Sequence, residues 1–390
     1  MKKTLSSYAT IAVFFGFLTL LLALSLFLPD APRSESENRA LVQKPVNDLS
    51  DLRALTGQYE NYVVDQFPYR ETLLSLYTRL ELAQGKRFVR DTYLTDGDYL
   101  LPLCYPVSSQ SLQAFTQAIG DAAAAHPEID FAFAVLPQKS DMLYELASPY
   151  LDNRVGERNK QALLAALAKL PTVQCIDVGA YFTETYPLAE RSQLYYRTDF
   201  HWNAHGAFAA AQYIGGLLVP EGITAPDSED FVWEEIGGNR TYAGDLNRRF
   251  SYRFSTEERI PYYRPENTQK LQYFLSADDA QPVDRTAIIG SGLLQDTLTY
   301  GGISTENLGY YRVVNPRAPV ERCVVILKDS FQDPTTDYFS ELYAQVVVID
   351  PRAYHAPYTF AELLAENDVD LVLFMYHQSN ASAELAAFLQ

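Results

Sequence analysis

Cysteine is scarce in this chain. Cys104, Cys175 and Cys323 are the only three in 390 residues. An odd number with no C-x-x-C spacing argues against a disulfide framework and against a thiolate metal site. Cys175 and Cys323 sit in the apolar runs V-Q-C-I-D-V and R-C-V-V-I-L, which read as buried strands, so buried free thiols are expected. Positive charge is also short. Lys and Arg number 31 against 49 Asp and Glu, a net charge of -18. Such a chain has no phosphate-neutralising surface, which excludes nucleic acid as a partner. It is repelled by an anionic membrane face, so any membrane attachment must be hydrophobic. No internal repeat or low-complexity tract follows the N-terminal segment, which rules out solenoid and disordered classes. Histidine and tryptophan are rare too, at five and two.

Apolar residues are plentiful, at 47 %, and tyrosine reaches 28. Tyrosine brings large burial with a polar tip. It serves sugar-binding surfaces, although tyrosine-rich cores are commoner. One apolar run stands out, from Ala9 to Leu28 after Lys2 and Lys3. A bilayer-crossing helix needs about 20 apolar residues. No A-x-A-like cleavage site follows in L-S-L-F-L-P-D-A-P-R-S, so an uncleaved anchor is expected rather than a signal peptide. The two lysines place residues 1–8 in the cytoplasm and everything beyond the anchor, residues 9–28, outside. Residues 29–86 read as a polar linker followed by a helical collar. Its helices are marked by Leu52, Leu55, Tyr59, Tyr62 and Val63, then by Leu73, Leu76, Leu80 and Leu82, with a break at Phe67-Pro68.

From residue 87 to 390 the pattern is α/β. A hairpin is expected at Y-L-T-D-G-D-Y-L-L, turning at Asp96-Gly97. Strands are expected at F-A-F-A-V-L-P, V-Q-C-I-D-V, C-V-V-I-L-K, Q-V-V-V-I-D and D-L-V-L-F-M-Y. Helices lie between them, including one capped by Asn203 and one around residues 337–344. Alternation of this kind predicts a parallel sheet covered on both faces. The segment 228–320 breaks the pattern and reads as an irregular, partly β insertion.

The rare residues cluster. R-T-D-F-H-W-N-A-H-G-A-F, residues 197–208, holds an aspartate, two histidines and a tryptophan within seven positions. Asp199 and His201, two apart on an extended segment, project to one side. An aspartate can then orient an imidazole whose other nitrogen faces a nucleophile. In an open α/β sheet the partner should follow a strand. Lys328-Asp329-Ser330-Phe331 does so, and Ser330 there would expose its hydroxyl beside backbone N–H groups able to cradle an oxyanion. Ser330 could equally be a plain helix cap aided by Asp329. Asp350-Pro351-Arg352, Gln138-Lys139 and Tyr376-His377 also follow strands. A zinc site built from Asp199, His201 and His205 is the rival chemistry. The H-E-x-x-H glutamate is absent, however, and a cap at Asn203 leaves His201 outside the helix.

The ordered motifs T-D-F-H-W-N-x-x-G-A, K-D-S-F and I-D-P-R resemble the SGNH-hydrolase-like proteins of the alginate acetylation machinery and the related DHHW family of Gram-positive bacteria. Glu37–Arg39 (E-N-R) and Asp65–Arg70 (D-Q-F-P-Y-R) are similar to the latter. The resemblance implies an SGNH-hydrolase-like parallel sheet flanked by helices, with Ser330 as nucleophile, His201 as base and Asp199 as its orienter. It adds Arg352, Lys139, Trp202 and Asp329 as candidates for substrate contact or oxyanion support, and implies no metal and no cofactor. Phe200 stands where the family has the first histidine of Asp-His-His-Trp. The family's oxyanion glycine and asparagine have only Gly301-Gly302-Ile303-Ser304 and a shifted Asn307 as counterparts. The resemblance implies a membrane-anchored, extracytoplasmic O-acetyltransferase or acetylesterase acting on a cell-surface polysaccharide. A membrane-bound O-acyltransferase would be the possible acetyl source. The alternative is a non-catalytic glycan-binding or scaffold partner of such an acyltransferase.

Overall fold

The computed structural model describes residues 2–37, 39–46, 51–151, 154–236, 240–251, 253–254, 258–305 and 308–390. The chain divides into two units, residues 1–90 with 248–253, and residues 91–247 with 254–390.

The first unit opens with helix α1, Lys2–Phe27. Its Tyr8–Phe27 portion is 20 residues long and is the one stretch among the described residues apolar and long enough to cross a membrane. Helices α2, Leu52–Asp65, and α3, Arg70–Ala83, follow. Asp51 caps α2 by accepting from the N–H groups of Arg53 and Ala54. The chain breaks at Pro68, and Tyr69 takes a left-handed φ of 57° before α3 begins. The two upstream motifs meet here. Arg39 donates to both oxygens of Asp65 at 2.8 and 2.6 Å, and Arg70 donates to Glu37 at 2.9 Å. The Arg39 hydrogen bonds pull the Asp65 carboxyl down to about 2 against the cost of burial. Asn38, between them, lies outside the described residues.

In the second unit, alternation of apolar side chains decides the sheet. Seven strands carry it: β1 Asp130–Leu136, β2 Val173–Asp177, β3 Gln272–Phe274, β4 Tyr310–Val314, β5 Val320–Lys328, β6 Tyr343–Ile349 and β7 Leu371–His377. Their order is β3-β4-β6-β5-β7-β1-β2. The five strands from β6 to β2 run parallel. Ala132, Ala134, Val324, Ile326, Leu373 and Met375 face one core, with helices α4 Ala204–Leu218 and α5 Thr336–Leu342. Phe131, Phe133, Val325, Leu327, Val372 and Phe374 face the other, which includes Phe115, Leu163 and Phe360 from three further helices. Both faces being covered explains why these strands read as continuous apolar runs.

The expected insertion contributes to the sheet. Its β3 and β4 extend the parallel set through antiparallel pairing, β4 on β6 and β3 on β4. Two more departures have local causes. The helix expected to reach residue 344 stops at Leu342, because Tyr343 pairs with Val320 and Gln345 with Cys323 in the sheet. Cys175, expected to be buried, is exposed. It lies on β2, the edge strand, where Gln174 and Cys175 in the middle of V-Q-C-I-D are both exposed. Cys323, on the interior strand β5, is buried as its apolar run implied.

Candidate functional site

Strand β5 ends at Lys328, and the chain turns sharply at Asp329 and Ser330. Asp329 shapes the turn. One carboxylate oxygen accepts from the Phe331 N–H at 3.0 Å, and the other accepts from the His377 N–H at 2.9 Å and the Asn380 side chain at 3.0 Å. This ties the turn to the end of neighbouring β7 and leaves Ser330 half-buried with its hydroxyl projecting. Beneath it, the fully buried Lys328 pairs with Asp333 and lies 3.5 Å from Asp350. A cation there is tolerable only because two carboxylates share it.

Asp199 and His201 sit on the loop before α4. Tyr195 and Trp202 form an isolated antiparallel bridge, which draws the loop into a narrow bend. Asn203 closes it, donating to the Gln193 carbonyl at 2.7 Å and capping α4 by accepting from His205 and Gly206. Within the bend His201 Nδ1 lies 2.7 Å from Asp199 Oδ1, and His201 Nε2 lies 2.8 Å from Ser330 Oγ. The backbone N–H of His201 also donates to Asp199 Oδ1 at 3.1 Å, while the N–H of Asp245 donates to Oδ2 at 2.9 Å. Gly244 permits that last contact, since a Cβ there would stand 2.4 Å from the Thr198 carbonyl. Burial alone would raise the Asp199 carboxyl. The His201 ring and the donated N–H groups outweigh it and hold the carboxyl well below the usual range.

Aromatic rings fix the imidazole. Tyr300 stacks on His201 with centroids 3.7 Å apart and planes 2° from parallel, and Phe200 lies at 3.9 Å. The ring that replaces the family's first histidine therefore packs on the second. The Tyr300 hydroxyl donates to the Ser330 carbonyl at 2.8 Å, so one side chain touches both halves of the site. Nothing in the local sequence marks Tyr300. It is one of 28 tyrosines, in a segment without clear periodicity. Tyr300→Phe keeps the stack and removes the donor. It is expected to lower stability by about 1 kcal/mol, read by urea unfolding.

The other candidates have separate fates. Lys139, Trp202 and Asp329 are 0, 0 and 1 % exposed, beneath the site rather than at its surface. Lys139 donates to the carbonyls of Arg197 and Asp199, and the Trp202 indole donates to the Phe331 carbonyl at 2.8 Å. Arg352 is held by Asp350 through two hydrogen bonds of 2.8 and 2.6 Å and keeps 41 % side-chain exposure. His205 turns away and stacks on Trp233 at 4.9 Å, so it shares no centre with Asp199 and His201. Among the described residues no three His, Cys, Asp or Glu side chains converge as metal ligands do. Gly301 and Gly302 lie in a helical turn, Tyr300–Ile303, where the Gly302 N–H already donates to Thr299. Asn307 lies outside the described residues. His377, at the end of β7, packs against Phe331 at 5.4 Å, and burial lowers its pKa against the pull of Asp329.

With this geometry in place, the comparisons agree on the kind of protein. Residues 105–293 match the family described as SGNH hydrolase-like domain, acetyltransferase AlgX. That span includes Asp199 and His201 and ends before Ser330. Over 247 residues the chain is 25 % identical to a probable alginate O-acetylase AlgJ from Pseudomonas syringae pv. tomato, covering 60 % of this chain and 58 % of that one. The match therefore spans little more than half the relative's length. Bacillus cereus PatB1, solved with a sulfonyl adduct, superposes with a TM-score of 0.66 at 23 % identity, over 77 % of this chain and 99 % of its own. A DHHW family protein from Eubacterium siraeum superposes with a TM-score of 0.59 at 17 % identity, over 76 and 93 %. The chain is similar to SGNH-hydrolase-like and DHHW proteins, and it shares their fold.

Proposed function

Given an SGNH-like fold with these relatives, we propose that this protein transfers acetyl groups to hydroxyls of a cell-surface polysaccharide. The observation that carries the reading is the unbroken run from Ser330 Oγ through His201 to Asp199, with links of 2.8 and 2.7 Å. Ser330 attacks the acetyl carbonyl carbon while its proton passes to His201 Nε2. Collapse of the tetrahedral intermediate expels the donor's leaving atom, which takes that proton. A sugar hydroxyl then attacks acetyl-Ser330, giving its proton to His201, which returns it to Ser330 Oγ. Asp199 holds Nδ1 protonated throughout and stabilises the imidazolium. Among the described residues the Ser330 N–H meets no acceptor, so it can donate to the oxyanion. Arg352, cationic and partly exposed, is the side chain we assign to acceptor contact.

The relatives' names supply the acetyl and polysaccharide terms. The Tyr8–Phe27 helix supports a single anchor with the rest of the chain outside the membrane. A membrane-bound acyltransferase is then a fitting acetyl source. An aryl sulfonyl fluoride tests the nucleophile directly. Peptide mass spectrometry is expected to find the adduct on Ser330 in the native chain and almost none in His201→Ala. Equal labelling in both would remove His201 as the base.

A further inference from the structure

The base stands on a segment whose backbone is gripped from two sides by opposite charges. On one side is Lys139, three residues beyond the end of β1 and 0 % exposed. Its Nζ donates to the Arg197 carbonyl at 2.8 Å and to the Asp199 carbonyl at 2.7 Å. On the other side is Glu258. Its carboxylate accepts from the backbone N–H of Arg197, from the Thr198 N–H at 3.3 Å and from the Thr198 hydroxyl at 2.8 Å. Two side chains thus satisfy five polar groups on three consecutive residues, the last of them two positions before His201. Resting on the catalytic reading above, we propose that Lys139 and Glu258 form an ionic clamp that positions the Arg197–His201 segment, so that His201 meets Ser330 in reacting geometry.

Packing alone does not account for a lysine at this point. Burial depresses Lys139 to about 7, with Glu258 and Asp199 holding it up against that loss. An apolar side chain would fill the space without this cost. What it would lack is two donors aimed at the Arg197 and Asp199 carbonyls, which lie in a loop. The bend carrying the triad residues is irregular backbone, and its carbonyls need such partners. The Lys139 Nζ also lies 5.5 Å from the Tyr99 ring centroid, and Leu100 of the same hairpin donates its N–H to the Arg197 carbonyl at 2.9 Å. The segment is therefore held at Arg197 and Asp199 from beneath and at Arg197 and Thr198 from the Glu258 side. Small displacements of a base lower the rate steeply while leaving substrate binding largely intact. Both residues act through His201 and are positioning residues.

The test uses the full-length chain in detergent, acetate release from a chromogenic acetyl ester, and four variants: Lys139→Met, Glu258→Ala, the double variant and Ser330→Ala. Each single clamp variant is expected to lose at least about tenfold in kcat with KM within about twofold, because the segment touches the base rather than the substrate. The double variant is expected to fall short of the product of the two losses, since either substitution already frees the same segment. A kcat within twofold of wild type in folded Lys139→Met or Glu258→Ala overturns the clamp. So do strictly multiplicative effects, which would make the two residues independent. If Lys139→Met does not fold, Glu258→Ala decides, because Glu258 is only partly buried and its removal leaves no apolar cavity. Ser330→Ala separates the layers. Full activity there overturns the catalytic reading itself, whereas loss there with intact clamp variants overturns only the clamp.

Discussion

Ser330→Ala is expected to reduce acetyl-ester turnover by about four orders of magnitude or more, with the fold unchanged. Removal of a triad nucleophile ends covalent catalysis and leaves only what binding and oxyanion donors supply. The side chain is half-buried, and among the described residues its hydroxyl meets only His201 Nε2. Alanine therefore leaves only His201 Nε2 without its partner. Thermal unfolding within a few degrees of wild type, with kcat near the blank, is the anticipated pair of results. A Ser330→Ala protein that retains a tenth of the native rate would show that another group attacks the ester. His377, at the end of the adjacent strand, would then be the first to test.

Asp199→Asn should be almost as damaging, by about four orders of magnitude in kcat. With its oxygen in the place of Oδ2, an asparagine still accepts from the Asp245 N–H. It can also turn its amide N–H₂ towards Nδ1, which locks the imidazole in the tautomer that cannot take a proton from Ser330. The same substitution has a stability signature with a definite sign. The native Asp199 carboxyl titrates below its unfolded value of 3.8. The unfolded chain thus binds the proton first. The stability Asp199 contributes is whole above about pH 4 and is lost as the pH falls through the native value. Urea midpoints measured between pH 5 and pH 3 should decline less steeply for Asp199→Asn than for wild type. Equal slopes would mean that the carboxylate is not held ionised by His201 and the surrounding N–H groups.

Much of this site is legible in the sequence because its chemistry is local. The Asp199–His201 pair is separated by two residues, and its geometry follows from an extended segment. Ser330 follows a run of apolar residues that can only be an interior strand. Arg352 follows another. Tyr300 carries no such mark, because its role depends on a stack with a residue 99 positions away in the chain. Lys139 is visible in the sequence as a lysine following a strand, and only the fold reveals the two backbone carbonyls it meets. Cys175 was misread for a related reason: an apolar strand pattern does not say whether a strand lies inside the sheet or at its edge.

By itself the sequence determined the anchor-length helix, the alternating strands and helices, the cap at Asn203 and the identity of the three residues proposed for catalysis. These depend on periodicity and short-range chain geometry, which the order of residues carries directly. The tertiary structure decided strand order, the edge position of β2, and the joining of His201 to Ser330 across 129 residues. It also decided which partners the charges meet: Arg39 with Asp65, Lys328 with Asp333, and Lys139 with the carbonyls beneath the base. Such contacts follow from how layers pack and from the cost of leaving a buried polar group unpaired, and neither is written in any one stretch of chain.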